Sequence, residues 1–228
     1  VVVDDASTDH SFELLHSVYA NEIRQGLLVV DRFSQNQGVT AAKNRGAMLA
    51  RGVWVAFMDS DDYFIVENAA LMISQLSLHP DEAAVFFRCR DNLLKKLIGP
   101  EVPADFIGLK EIINQGTPGE CFPVVKRQQI LEHPYPADLR GSEALSYYSM
   151  LKAKKRIFIS DLVVREYEHE GDDRLSAKKG LRARASKLVV HNVRTLRYFT
   201  SLTPKTLVGV LVRIAYYSWL TCLNKIIR

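Results

Sequence analysis

Carboxylates cluster twice in the first 64 residues. Asp4 and Asp5 close the apolar run Val1–Val3, and Asp59, Asp61 and Asp62 follow the largely apolar run 53–58. Carboxylates held this close repel one another unless a cation offsets their charge. Oxygen ligands suit a hard divalent ion, Mg2+ or Mn2+, which keeps coordination positions open for substrate phosphate. Open α/β sheets bind ligands at the carboxyl ends of their strands. If both runs are strands of one parallel sheet, the two acidic groups share a rim. That pattern predicts a metal-assisted site for a phosphate-bearing substrate, against the plainer reading of acids that cap a helix and face water.

The surrounding segments read as the scaffold such a site needs. A helix is expected over 7–23, with Thr8 or Asp9 as N-cap and Phe12, Leu15, Val18 and Tyr19 on one face. A second strand (27–33), a polar loop (34–38) and a helix (39–52) follow. The run 53–59 is continuously apolar up to its acid, as expected of a strand covered on both faces. A helix over 66–80 ends at Pro80. Strand and helix in alternation predict an α/β layer with a mostly parallel sheet. The second half is less regular. It reads as a strand at 83–91, turn-rich stretches at 98–105 and 114–123, and a strand with a helical turn at 121–132. A helix at 141–155 and a strand pair or one long bent strand at 156–171 follow, with helices from residue 177 on.

The stretches "VVVDDASTD" and "NQGVTAAKNRGAMLARGVWVAFMDSDDYF" resemble the family 2 glycosyltransferases, which carry the GT-A fold. Three family elements occur in order across residues 1–64: DDxSxD, N-x-G-x-x-x-A-[RK]-N-x-G, and a strand ending in DxDD. Residues 120–176 match more loosely. The resemblance implies a GT-A, Rossmann-like sheet flanked by helices over 1–176 and a basic helical extension over 177–228. It implies an inverting, metal-dependent transfer of a sugar from a nucleotide-diphosphate donor, with UDP favoured, to a glycan or lipid-linked acceptor in cell-envelope polysaccharide synthesis. By the same resemblance Asp4 and Asp5 contact uracil and ribose, and Lys43 contacts base or diphosphate. Asp59 and Asp61 match the DxD motif, Asp61 as the direct metal ligand and Asp59 as ribose contact and second ligand, with Asp62 a weaker candidate. Glu143 falls on the position of the general base, with Asp138 as backup and Ser142 where the family often has an acid. In the loop "REYEHEGDDRLS", His169 is a candidate metal or phosphate ligand and Arg174 a diphosphate partner.

Two other readings stay open on the residues alone. Asp-x-Asp after an apolar strand also resembles the haloacid dehalogenase phosphatases, with Asp59 as nucleophile and Asp61 as acid/base. Tyr63 stands where that family has Thr or Val, and the reading leaves "VVVDDASTD" unexplained. The sequence also opens directly on a strand, where the transferase pattern has a further strand upstream. On that ground the chain reads as N-terminally incomplete, and an inactive remnant or binding protein would look the same.

Composition narrows the setting. The 228 residues are 47% hydrophobic and 25% charged, with a net charge of +4, as in a globular protein. No acidic residue follows Asp173, whereas basic residues continue from Arg174 to Arg228. A tail of one sign points to an anionic partner. Membrane phospholipid is expected and nucleic acid is not, since no recognised nucleic-acid module accompanies the charge. Cys89, Cys121 and Cys222 are few and far apart, as for reduced thiols, and no signal-peptide pattern opens the sequence. The expected location is cytoplasmic, peripheral on the inner face of the plasma membrane. The apolar segment 206–223 carries Arg213 at its middle, which favours a buried or interfacial helix over a membrane span.

Overall fold

The computed structural model describes residues 1–167 and 178–226. The chain opens with β1 (Val2–Asp4), the helical pair α1 (Ser11–Val18) and α2 (Ala20–Arg24), and β2 (Val30–Arg32). β1 and β2 pair in parallel, Val2 opposite Val30. Asp9 accepts the backbone N–H of Ser11 at 3.0 Å, but His10 holds the N-cap position of the first helix with no side-chain cap, so neither Thr8 nor Asp9 is its N-cap. The expected single helix over 7–23 is interrupted at Tyr19.

α3 (Val39–Leu49) then packs on β1. A Cβ built on Gly46 would lie 3.8 Å from Val3 Cγ2, an ordinary van der Waals distance, so helix and strand are in contact there without requiring glycine. Arg45 on α3 pairs with Asp31 on β2 at 2.8 Å. Beyond it come β3 (Trp54–Ala56), β4 (Tyr63–Phe64), α4 (Ala69–Leu78), β5 (Ala84–Asp91) and β6 (Asp105–Ile107). The series continues with α5 (Leu109–Gln115), β7 (Cys121–Lys126), α6 (Arg127–Glu132), α7 (Ala144–Lys152) and β8 (Ile157–Tyr167). The extension is α8 (Lys178–Ala183), α9 (Ala185–Thr195) and α10 (Pro204–Ile226).

The larger sheet runs β3-β7-β5-β8-β4, with β6 also on β8. It is mixed rather than mostly parallel. β5 and β8 run parallel, whereas β3–β7, β5–β7, β4–β8 and β6–β8 are antiparallel. The reason is β7, which emerges from the turn-rich segment and inserts antiparallel between β3 and β5. The stretch expected as a strand pair or one bent strand is a single strand, β8, whose register against β5 shifts around Arg88.

β5 is the centre of the fold, buried on both faces with period two. Ala84 and Phe86 join the cluster that holds Val55, Phe57, Tyr147 and Met150, while Val85, Phe87 and Cys89 join Leu76, Phe122 and Val164 on the other side. β3 differs from its expectation. Val55 and Phe57 are buried in the core on one face, but Ala56 and Met58 on the other face are exposed. Arg88 is buried within the sheet and donates to the carbonyls of Ile98 and Pro100 at 3.2 and 2.9 Å. It thereby closes the turn-rich loops on the sheet. There Gly119, at φ +87°, passes so close to Ile98 that a Cβ would lie 2.1 Å from its carbonyl oxygen.

Candidate active site

α3 joins the two acidic clusters. Its N-terminus follows Gly38, whose φ of +91° is open to glycine and strained for other residues. The cap comes from another strand end. Asp5 accepts the backbone N–H of Gln37 at 2.6 Å and of Gly38 at 2.8 Å, and Asn36 donates to the Asp5 carbonyl at 3.1 Å. A carboxylate is favoured there by the helix dipole as well as by those amides. Asp4 is buried, accepts the Ser7 N–H at 3.0 Å and lies 3.0 Å from Arg32 Nε. Both acids therefore shape the β1 end and the 34–38 loop.

One turn into α3, Lys43 reaches the second cluster. Its Nζ lies 2.9 Å from Asp59 Oδ1 and 3.7 Å from Glu143 Oε1. The candidate base and the first DxD carboxylate, 84 positions apart in sequence, thus meet across one lysine. Glu143 precedes α7, and its side chain does not cap that helix. Asn44 fixes the geometry: it donates to the Tyr135 carbonyl at 2.8 Å and accepts the Tyr135 N–H at 3.0 Å, tying α3 to the segment before Glu143.

The three carboxylates after β3 have three different environments. Asp59 is half-buried beside Lys43. Asp61 is exposed and, among the described residues, forms no ion pair. The Asp62 side chain is 1% exposed and lies 2.9 Å from Arg165 Nη1. Arg165 was not singled out from sequence. It extends from β8, 3% exposed, between the rings of Phe122 and Tyr167, and also meets Glu120 at 2.8 Å, Cys89 Sγ at 3.2 Å and, at 4.0 Å, Asp59. Burial disfavours its charge, but Cys89, Asp62 and Glu120 more than offset that, so its pKa is raised. Burial pushes the Cys89 thiol up to about 12, so it stays protonated beside the guanidinium.

The extension grips the loop that carries Glu143. Arg184 donates to the Arg140 carbonyl at 2.8 Å, and His191 Nδ1 lies 2.9 Å from Ser142 Oγ. Arg194 makes a two-pronged pair with Asp138 at 3.0 and 2.7 Å, which holds that carboxyl below its usual range. The backup base is therefore engaged elsewhere. Burial, with Arg213 and Arg184 nearby, keeps the His191 pKa below the usual 6.5. The folded chain favours neutral His191, so this contribution to stability is full above 6.5 and is lost as pH falls from there toward the lowered value. Thermal melts between pH 7 and pH 5 are expected to show a steeper acid loss in the parent protein than in His191→Gln. Equal slopes would remove His191 as the origin.

Asp59 and Asp61 are hard oxygen donors that suit Mg2+ or Mn2+. Among the described residues no group of three His, Cys, Asp or Glu side chains converges. Two carboxylates leave the remaining positions to substrate oxygens, as Mg2+ prefers. His169 and Arg174 lie outside the described residues.

The model of the glycosyl transferase family 2 matches residues 1–115, the segment that holds both acidic clusters and α3. The chain belongs to that family. A family 2 relative from Campylobacter jejuni, the GalNAc(5)-diNAcBac-PP-undecaprenol beta-1,3-glucosyltransferase, is 26% identical over 159 residues, 68% of this chain and 50% of its own length. Among solved structures, S. aureus TarS 1–349 superposes with TM-score 0.57 at 20% identity, covering 85% of this chain and 55% of its own. A mannosyltransferase from Pyrobaculum calidifontis, in complex with GDP-Man and Mn2+, gives TM-score 0.53 at 17% identity, covering 94% and 59%. These likenesses establish the GT-A fold. The chain spans about half the length of these relatives. Family membership sets aside the haloacid dehalogenase reading of Asp59 and Asp61.

Proposed function

We propose that the chain carries the donor site and the base of an inverting, metal-dependent glycosyltransferase. It would move a sugar from a nucleotide diphosphate, UDP favoured, to a hydroxyl of a glycan or lipid-linked acceptor in envelope polysaccharide synthesis. The observation that carries this reading is Lys43, held between Asp59 and Glu143. The lysine stands where a leaving diphosphate would meet both a cation and the DxD acids. Glu143 would take the acceptor proton as the acceptor oxygen bonds to the anomeric carbon and the bond to the diphosphate breaks, its electron pair leaving with the nucleotide. Asp61 and Asp59 would hold the Mg2+ or Mn2+, which when bound offsets the charge gathering on the diphosphate. Asp4 and Asp5 would frame uracil and ribose, and His169 and Arg174 would meet the diphosphate from their loop. Residues 1–176 would form the catalytic domain and 177–228 the extension. The undecaprenol-linked acceptor in the Campylobacter relative's name supports a lipid-linked acceptor and work at the cytoplasmic membrane face.

The test is calorimetric titration of UDP into the protein with and without Mn2+. Metal-dependent binding is expected, weakened at least tenfold in Asp61→Ala. Equal binding with and without metal would remove the metal assignment, and undiminished binding by the variant would move it away from Asp61.

A further inference from the structure

α10 has two unlike faces. At 100° per residue, Val208, Leu211, Val212, Tyr216 and Trp219 fall within an arc of about 140°. All five are exposed, from 50% at Leu211 to 60% at Val212. Val210 on the opposite side and Leu220 on the flank are buried, and on that flank Arg213 Nε donates to Asn192 Oδ1 at 2.9 Å. A soluble helix of this length normally turns its apolar stripe inward. Here the inward side is packed on α9 and a second apolar stripe faces out. A contiguous exposed patch of this kind marks a binding surface.

The charge of the helical unit that carries the stripe identifies its occupant. Arg182, Lys187, Arg197 and Lys205 are exposed on the same helical unit, and no acidic residue occurs anywhere after Asp173. A second copy seated on the stripe would bring two acid-free, basic units together with no opposing charge. An anionic bilayer supplies both an apolar layer and the missing negative charge. Tyr216 and Trp219 on the stripe suit the boundary between headgroups and acyl chains.

α10 is long and apolar enough to cross a membrane. Its polar contacts hold it against α5, α9 and α8 instead: Thr203, just before its start, donates to Asn114 at 2.8 Å, Arg213 at its middle to Asn192 at 2.9 Å, and Asn224 near its end to the Arg182 carbonyl at 3.0 Å. A span would break all three and place Arg213 in hydrocarbon.

We propose that the outer face of α10 is a docking surface for anionic phospholipid, with the helix lying in the interface and α9 linking it to the loop that carries Glu143. Arg184–Arg140, His191–Ser142 and Arg194–Asp138 connect the docked unit to the base loop.

The test is flotation of the full chain with vesicles of phosphatidylglycerol and phosphatidylcholine, against phosphatidylcholine alone. Vesicle binding is read without turnover, so its outcome is independent of the transfer reaction. Binding is expected to the anionic vesicles only, weakened by salt, and lowered roughly tenfold or more by Val212→Glu with Trp219→Glu. Arg197→Glu with Lys205→Glu is expected to act similarly. Val212→Ser with Trp219→Ser serves if the glutamate pair misfolds by circular dichroism. An environment-sensitive dye on the exposed Cys222 should shift to the blue on binding. Lack of anionic binding by the folded chain would overturn the proposal, as would undiminished binding by the folded stripe variants. Resistance to carbonate extraction would replace docking by a span. A lipid-free dimer dissolved by the same stripe substitutions would make the face a self-interface.

Discussion

Glu143→Gln is expected to lower turnover by about 10²–10⁴-fold while leaving UDP binding within about twofold. Glutamine keeps the shape of the side chain but cannot accept the acceptor proton. Lys43 keeps its partner Asp59 at 2.9 Å, so the donor side of the site loses only the longer, 3.7 Å contact to Glu143. A loss confined to turnover is therefore the signature of a base, since an interaction made only in the transition state lowers kcat without weakening ground-state binding. The control is Asp138→Asn. That carboxylate is paired in two-pronged fashion with Arg194 and is expected to change turnover far less. Single-turnover rates with a UDP-sugar and calorimetry with UDP separate the two effects. Turnover within twofold of the parent in Glu143→Gln would end the base assignment. A large loss in Asp138→Asn instead would move the role there.

The elements around the first acidic cluster were legible because their signals are local. The alternation of short strands with helices, the Gly38 turn and the small residues of α3 are all read within a few positions. The site itself was legible only as a set of candidates. Asp59, Asp61 and Asp62 are the same residue type within four positions, yet one meets a lysine, one faces solvent and one is buried against an arginine. What separates them is Arg165, about a hundred positions away on β8, and no local pattern announces which basic residue turns inward. The same distance hid the grip of α9 on the Glu143 loop, where partners stand 44 to 56 positions apart. The mixed sheet was missed for a related reason. β7 leaves a stretch of turns, and the direction in which such a strand runs is set by the path of its connection, which local pattern does not show. β3 buries one face where two were expected, since Ala56 and Met58 are left exposed while Val55 and Phe57 enter the core, and face coverage depends on distant elements that a continuous apolar run does not reveal.

Arg165→Met is expected to be the most damaging single substitution outside the catalytic groups. Methionine keeps much of the volume between Phe122 and Tyr167, so the packing loss is small. What disappears is the positive charge facing Asp62, whose side chain is 1% exposed and cannot turn to water. Breaking a buried ion pair by removing one member costs up to about 3–5 kcal/mol. For a chain of this size each kcal/mol lowers the melting midpoint by roughly 2–4 °C. Glu120 adds little to that penalty, because its side chain is 44% exposed and stays solvated. Part of that cost comes from the Asp62–Arg165 pair itself rather than from the other contacts of the arginine. Asp62→Asn should therefore recover part of the stability of Arg165→Met, so that the double variant is more stable than the sum of the two single losses predicts. Urea titrations of the four proteins in that cycle measure the coupling directly. Strict additivity, or an Arg165→Met protein within about 1 kcal/mol of the parent, would mean that the Asp62–Arg165 pair contributes little to stability. Arg165 would then be a neighbour of the DxD end rather than the group that sets which of its three acids is left facing the donor.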